Sequence, residues 1–159
     1  MQSKGGAKGG ALSYDVVIIG GGPAGMAAAL ASRKQGAKTL ILERDVRLGG
    51  ILNQCIHQGF GLHYFGEEMT GPEYADRFRK MVEAEDIDVM LESMVLSLDE
   101  NKEVCVLSPT QGYCKIKAGA IVLAMGCRER TAGAIALPGT RPAGVYTAGM
   151  AQKICNLDG

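Results

Sequence analysis

The chain has 159 residues, enough for one domain with a substantial core, and its hydrophobic share of 47% and charged share of 21% are ordinary for a globular protein. Seventeen basic residues balance seventeen acidic ones, and this zero net charge argues against nucleic acid or an anionic membrane as the main partner. The 23 glycines are roughly twice the usual share. They cluster in short loops, where the backbone turns sharply or approaches a ligand.

Residues 1–13 are rich in Gly and Lys and lack an apolar core, so we expect a flexible leader rather than a signal peptide or membrane anchor. The five cysteines have neither CxxC nor CxxxxC spacing, which indicates free thiols in a reducing compartment. No apolar run approaches the ~20 residues of a membrane helix, so a cytoplasmic location is expected. Residues 14–159 are expected to form one domain.

A βαβ unit opens this domain. Asp15–Ile19 is a short apolar run, typical of a parallel strand that is buried on both faces. A helix is predicted from Ala24 to Gln35, and Thr39–Leu42 is predicted to be the second buried strand. A strand–helix–strand unit of this length requires a parallel sheet with a right-handed crossover.

Residues 45–66 are expected to be irregular, and a long irregular stretch inside a domain is more often functional than idle. A helix is predicted to begin at the capping residue Thr70, with Glu73 reaching back to it, and to end near Glu85. Ile87–Leu91 is predicted to be a third strand.

Four short runs at strand spacing follow: Met94–Leu98, Lys102–Ser108, Tyr113–Lys117 and Ala120–Met125. We expect the first three to form an antiparallel β-meander and the fourth to return to the parallel sheet, because an Ala-Gly pair between the last two indicates a turn. The segment 126–159 is expected to be extended, with a short helix near Ala148–Ile154.

The strongest motif is Gly20-x-Gly22-x-x-Gly25, between the first strand and the first helix. In a dinucleotide site, Gly20 makes the tight turn, Gly22 admits the pyrophosphate and Gly25 lets the helix pack closely. The first helical turn, with Pro23 and Ala24, presents the positive end of the helix dipole to the phosphates.

Glu43 ends the second strand, close to the ~20-residue spacing after Gly25 that is expected for a carboxylate binding a ribose hydroxyl. Strand, glycine motif, helix and carboxylate together predict dinucleotide binding. The motif alone does not distinguish NAD from FAD.

The run DVVIIGGGPAGMAAALASRKQGAKTLILERDVRLGG, residues 15–50, resembles the FAD-binding start of the pyridine nucleotide–disulfide oxidoreductase-like flavoproteins. In that superfamily a glycine pair after the acidic residue also contacts the cofactor, and Gly49 and Gly50 stand at its place. The run AGAIVLAMG, residues 118–126, resembles the second FAD fingerprint, in which Ala124 and Gly126 would line the cofactor and Met125 replaces the usual Thr.

The resemblance further implies that Arg44 contacts the adenine or its ribose and that the backbone of Val95 touches the adenine. It implies an α/β fold, a Rossmann-type parallel sheet with a three-stranded β-meander. It also implies a function: the FAD-binding portion of an NAD(P)/FAD-dependent oxidoreductase that transfers electrons or hydride through the flavin.

A closer likeness, carried by residues 127–152, is to the amine-oxidase-type and cyanide-synthase-type flavoprotein subunits. Such proteins continue into a nicotinamide domain with its own GxGxxG and then return with a Gly-Asp motif. Neither feature occurs after Gly25, so NAD(P)H is expected only in the full-length protein. This chain is expected to need the missing nicotinamide domain or a partner subunit. Two alternatives stay open: a stand-alone NAD-binding domain, or a truncated non-catalytic subunit that needs a partner to hold cofactor.

No catalytic residue can be assigned. The disulfide reductases carry two cysteines in the loop after the glycine pair, whereas this loop has only Cys55, which excludes a dithiol relay there. A buried Cys55 beside a hydrogen-bonded His57 is favoured over an activated thiol, and with His63 they are too few and scattered for zinc.

Cys105 and Cys114 could face each other across adjacent strands but are expected to be apolar fillers. The charged cluster at residues 128–130 is expected to be a solvated loop.

Overall fold

Two buried parallel strands form the centre of the structure, a computed structural model that describes residues 12–140 and 142–159. Strand β1 (Leu12–Ile19) pairs with β2 (Thr39–Leu42), and helix α1 (Pro23–Lys34) connects them. Because β1 begins at Leu12, the last two residues of the predicted leader belong to the strand. The rest of that prediction, residues 1–11, lies outside the described residues.

Short elements occupy the segment that was expected to be irregular. A 3-10 helix (Gly50–Gln54) is followed by β3 (Gln58–Phe60) and by the single turn α2 (Leu62–Phe65). Strand β3 pairs antiparallel with β4 (Met69–Thr70) to make a separate two-stranded sheet. The expectation of irregular structure over the whole of residues 45–66 was therefore wrong.

Helix α3 (Gly71–Ala84) begins where its cap was predicted. The Glu73 carboxylate accepts hydrogen bonds from the Thr70 amide at 2.8 Å and from the Thr70 hydroxyl at 2.7 Å, which confirms the predicted capping residues. Strand β5 (Asp88–Met90) then pairs in parallel with β2.

The remaining strands are β6 (Met94–Leu98), β7 (Glu103–Ser108) and β8 (Gly112–Leu123). Neighbours among these three pair antiparallel, and β8 also pairs in parallel with β1, so the sheet order is β5-β2-β1-β8-β7-β6. The predicted α/β fold with a Rossmann-type parallel sheet is confirmed.

The prediction of two separate strands between Tyr113 and Met125 was wrong. Strand β8 is continuous, and the Ala-Gly pair does not turn: Ala118 is buried in the core, and a Cβ at Gly119 would lie 2.8 Å from the Asp15 carbonyl oxygen. A glycine between two strand-like runs can mark either a turn or the close approach of another backbone. Gly119 marks the close approach of β1.

The parallel strands are covered on both faces. One core lies between these strands and the helices, and its buried members are Ile18, Met26, Ala29, Ile41, Leu48, Phe78 and Val82. The other lies against the antiparallel strands, and its buried members are Tyr14, Val17, Ile19, Leu40, Leu42, Val104, Val106, Ile116 and Ala118. Because side chains alternate along a strand, β1 and β2 supply both cores, which explains their uninterrupted apolar sequences.

The chain ends in helix α4 (Ala148–Lys153), within the segment where a short helix was expected, and in one π-helical turn (Ile154–Asp158). Within the part of the chain that is described, no helix has the length and apolar character required to cross a bilayer.

Candidate dinucleotide-binding site

The turn between β1 and α1 requires glycine at two positions for steric reasons. Gly20 has a φ of 107°, and a Cβ there would lie 2.4 Å from the Ala124 carbonyl oxygen; a Cβ at Gly25 would lie 1.9 Å from the Gly20 carbonyl oxygen. Gly22 differs, because an added Cβ would meet nothing within 4 Å. The first and third glycines thus serve packing, whereas the space beside the second is open to a ligand.

The N-terminus of α1 carries no side-chain cap. Gly22 is the extended N-cap residue, Pro23 follows in the first turn, and the first turn has neither an acidic residue nor a side-chain cap hydrogen bond. The first intrahelical bond runs from the Met26 amide to the Gly22 carbonyl oxygen at 2.9 Å. Amides of the first turn, including that of Ala24, therefore lack partners within the helix and suit an anion.

Glu43 is buried and is bonded to the glycine turn. Its Oε2 accepts the Gly21 amide at 2.7 Å, and its Oε1 accepts the Asp45 amide at 2.9 Å. A carboxylate has about four acceptor positions, so each oxygen retains one for a hydroxyl. The structure thus brings Glu43 and the glycine motif together, as the spacing predicted.

The second glycine pair packs directly on the first motif. The Gly49 amide donates to the Gly21 carbonyl oxygen at 2.8 Å, and a Cβ at Gly50 would lie 3.1 Å from the Gly22 Cα. Both members of the pair have positive φ, 122° at Gly49 and 54° at Gly50. Two loops about 30 residues apart therefore meet with their backbones in direct contact.

The end of β8 joins the same cluster. The Ala124 amide donates to the Ile19 carbonyl oxygen at 2.8 Å, which sets Ala124 against Gly20. Gly126 follows with a φ of 71° and open space around it. The three segments that the resemblance singled out thus converge at the carboxyl ends of β1, β2 and β8, where ligands bind in open α/β sheets.

The two remaining predicted contact residues are Arg44 and Val95. Arg44 has an exposed side chain. Val95 is half-buried in β6 opposite Val106, with two strands between β6 and β1. The residue that reaches Glu43 from this part of the chain is Ser93, whose amide donates to the Glu43 carbonyl oxygen at 2.8 Å.

Sequence reasoning missed two polar residues behind the second glycine pair. Asn53 is buried in the 3-10 helix, and its Nδ2 donates to the Leu48 carbonyl oxygen at 3.2 Å. Arg79 on α3 donates through Nη1 to the same carbonyl oxygen at 3.1 Å and to Asn53 Oδ1 at 3.2 Å. No local pattern marks either residue, because the contacts of Arg79 span 26 and 31 positions.

No hydrogen bond joins Cys55 to His57. The half-buried Cys55 thiol lies 3.9–4.0 Å from the carboxamide of Gln152, and His57 Nδ1 lies 2.8 Å from the Gln58 carbonyl oxygen. The expected hydrogen bond of the histidine is present, whereas the thiol is only partly buried. Among the described residues, no three acidic, His or Cys side chains are grouped to hold a metal ion.

The possibility that Cys105 and Cys114 face each other needs correction. Cys105 and Cys114 lie on opposite faces of the sheet, because Cys114 packs on the core beside Val106 whereas Cys105 lies opposite Lys115. They therefore do not face each other.

Residues 128–130 are exposed and lie outside helices and strands, as expected of a solvated loop, and Glu129 in addition caps α4. Its carboxylate accepts hydrogen bonds from the Thr147 hydroxyl and from the amides of Gly149 and Met150. These bonds, the Thr147 hydroxyl foremost, lower the pKa of Glu129.

The turn after β1, the uncapped helix and the buried carboxylate after β2 define a dinucleotide-binding domain of the α/β class. The family model for pyridine nucleotide-disulphide oxidoreductases matches residues 14–154. The chain belongs to this family, which is FAD-dependent.

Three known proteins illustrate the similarity. The chain is 31% identical to hydrogen cyanide synthase subunit HcnB of Pseudomonas protegens over 89% of its length and 30% of that protein. It is 34% identical to a thioredoxin reductase of Peptoclostridium litorale over 76% of its length and 36% of that protein. The crystal structure of thioredoxin reductase from Streptococcus pyogenes MGAS5005 matches with a TM-score of 0.61 and 27% identity, over 77% of this chain and 38% of that one. The chain thus spans about a third of the length of these relatives.

Proposed function

We propose that residues 14–159 are the FAD-binding portion of an NAD(P)/FAD-dependent oxidoreductase. The observation that supports this best is that Glu43 and Gly49 both bond to Gly21. The carboxylate for the adenosine ribose and the second glycine pair are thereby held at one helix N-terminus. A helix N-terminus with open space at Gly22 fits a diphosphate, and the adjacent buried carboxylate fits a ribose hydroxyl.

Each part of the cofactor has candidate residues. The pyrophosphate would lie against Gly20, Gly22, Pro23, Ala24 and Gly25. Gly49 and Gly50 would line the phosphate–ribityl region, and Ala124 and Gly126 would close over the cofactor. Arg44 and Val95 would lie at the adenine end. When bound, the flavin supplies the redox chemistry, whereas these residues position it and stabilise its charges.

We propose further that additional chain or a partner subunit completes the enzyme with a nicotinamide domain. Its curated relatives are about three times as long as the matched region. At the end of β8, Leu123 is 60% exposed and Met125 is 64% exposed, beside the proposed cofactor site. Such exposed apolar side chains suit a surface that another part of the protein covers. NAD(P)H would bind to the nicotinamide domain and not to residues 14–159.

The test is an equilibrium titration of the purified chain with FAD, followed by flavin fluorescence, with NADH titrated in parallel. We expect saturable FAD binding at one site per chain and none by NADH at the same concentrations. The Glu43→Gln variant would weaken the FAD signal if the flavin nucleotide occupies this site.

Each alternative function predicts a different pattern of FAD and NADH binding. NADH binding without FAD binding would indicate a stand-alone NAD-binding domain. FAD binding that appears only after a longer gene product or partner is added would indicate a truncated non-catalytic subunit. No saturable FAD binding below about 1 mM by either form would contradict the proposal.

A further inference from the structure

The guanidinium of Arg79 connects α3 to the backbone just before the second glycine pair. Its Nη1 lies 3.1 Å from the Leu48 carbonyl oxygen and 3.2 Å from Asn53 Oδ1, and its Nη2 lies 3.2 Å from Asp76 Oδ1. The side chain is 24% exposed, so these bonds form at a largely enclosed position. Arg79 thus bonds to a backbone carbonyl, a buried amide and a carboxylate at once.

Asn53 lies between Arg79 and Gly49 and contacts both. Its carboxamide bonds to the Leu48 carbonyl oxygen and lies against the α-carbon of Gly49, where an added Cβ would be 2.6 Å from Asn53 Oδ1. The opposite side of Gly49 donates its amide to Gly21. The second glycine pair is therefore held between the Arg79–Asn53 contact and the first glycine motif.

A glycine pair with two positive φ angles has little conformational preference of its own, because glycine has access to far more backbone conformations than other residues. Contacts from outside the turn must therefore select the observed conformation. The groups that do so are the Gly21 carbonyl oxygen on one side and Asn53 with Arg79 on the other.

We infer that Arg79 is a positioning residue for the cofactor, acting through Asn53 and the Leu48 carbonyl to hold Gly49 and Gly50 against Gly21 and Gly22. This inference rests on the proposed FAD function of the same site. Lys at position 79 would replace Arg only in part, because the planar guanidinium alone presents several donors in a fixed fork.

The test compares Arg79→Ala and Arg79→Lys with the control Lys80→Ala. Lys80 lies on the same helix and pairs with the same Asp76, its Nζ 2.8 Å from Oδ2, but no hydrogen bond connects it to Leu48 or Asn53. Two quantities are measured on each purified chain. Amide hydrogen exchange of residues 48–54 and of β2 is followed without cofactor, and the FAD dissociation constant is determined by titration.

For Arg79→Ala we expect faster exchange confined to residues 48–54, unchanged exchange in β2, and a rise of about tenfold in the FAD dissociation constant, because FAD must then order the glycine pair when it binds. Arg79→Lys should lie between the wild type and Arg79→Ala. Lys80→Ala should stay within about twofold of the wild type. Faster exchange in β2 as well would indicate a merely structural role and overturn the inference.

Unchanged FAD affinity in Arg79→Ala, with a wild type that binds FAD, overturns the inference and leaves the proposed function intact. A wild-type chain that binds no FAD overturns the proposed function and the inference with it. If Arg79→Ala does not fold, the same two measurements on Arg79→Lys test the inference, since this variant retains the charge and the partner Asp76.

Discussion

The Glu43 carboxylate lies 2.7 Å from the Gly21 amide nitrogen and is buried, so the acidic end of β2 and the turn after β1 form one unit. This bond gives the carboxylate a fixed position beside an uncapped helix N-terminus. A charge that accepts backbone amides at both oxygens is oriented before any ligand arrives, which would lower the cost of the proposed ribose contact.

Replacing Glu43 by Gln should weaken FAD binding by about tenfold or more, because a charge-assisted hydrogen bond to the ribose is lost. It should also destabilise the cofactor-free protein by about 1–3 kcal/mol, since a carboxamide has only one acceptor oxygen for the Gly21 and Asp45 amides. Urea unfolding and FAD titration measure the two effects. Glu83→Gln, an exposed position on α3, is the control and should change neither.

Alanine at Gly22 and at Gly25 should have different effects. At Gly22 the added Cβ meets no protein atom and φ is −73°, so the unfolding free energy should change by less than about 1 kcal/mol while FAD binding is lost. At Gly25 the Cβ would lie 1.9 Å from the Gly20 carbonyl oxygen, so both stability and binding should fall.

Thermal unfolding of each variant without cofactor measures the loss of stability separately from the loss of FAD binding. Normal FAD affinity in a folded Gly22→Ala protein would show that the diphosphate does not approach this glycine.

The cap of α4 should depend on pH through Glu129. Hydrogen bonds from the Thr147 hydroxyl, then from the Gly149 and Met150 amides, lower the folded-state pKa of Glu129 from the ordinary value of 4.5. A lowered folded pKa contributes stability above pH 4.5, and this contribution is lost as pH falls through the folded pKa. The protection of residues 147–153 against amide exchange, relative to intrinsic exchange at the same pH, should therefore fall more below pH 4.5 than the protection of α1.

The Glu129→Gln variant provides the control. It should show faster exchange at neutral pH and lose the additional acid dependence. An identical pH profile in the variant and the wild type would contradict the capping role.

The two cysteines of the antiparallel strands should differ in reactivity. Hydrogen bonds from the Ser97 and Tyr113 hydroxyls lower the pKa of the Cys105 thiol, whereas burial raises the pKa of Cys114. Thiolate is the reactive form, so iodoacetamide should alkylate Cys105 faster than Cys114 near pH 7.5. Mass spectrometry of peptides measures both rates, and Tyr113→Phe should slow the reaction at Cys105. Equal rates in the wild type would contradict the predicted difference in pKa between the two thiols.

Local sequence patterns predicted the elements whose geometry depends on residues that are close together in the chain. The βαβ unit, the glycine turn and the Thr70–Glu73 cap all follow from backbone conformations and short-range hydrogen bonds, and each was found close to its predicted place. The spacing from Gly25 to Glu43 also predicted their proximity, because a strand–helix–strand unit returns the chain to the neighbouring strand.

Tertiary packing alone decided the rest. The Ala118-Gly119 pair has the composition of a turn, but burial of Ala118 and the approach of Asp15 keep β8 extended. Arg79 contacts Leu48 across 31 positions, and Glu129 contacts Gly149 across 20. Such contacts depend on how helices and loops are placed against the sheet, and no repeat or spacing in the sequence records that placement. The sequence by itself predicted a dinucleotide site, and the tertiary structure determined which side chains hold the glycine loops in position.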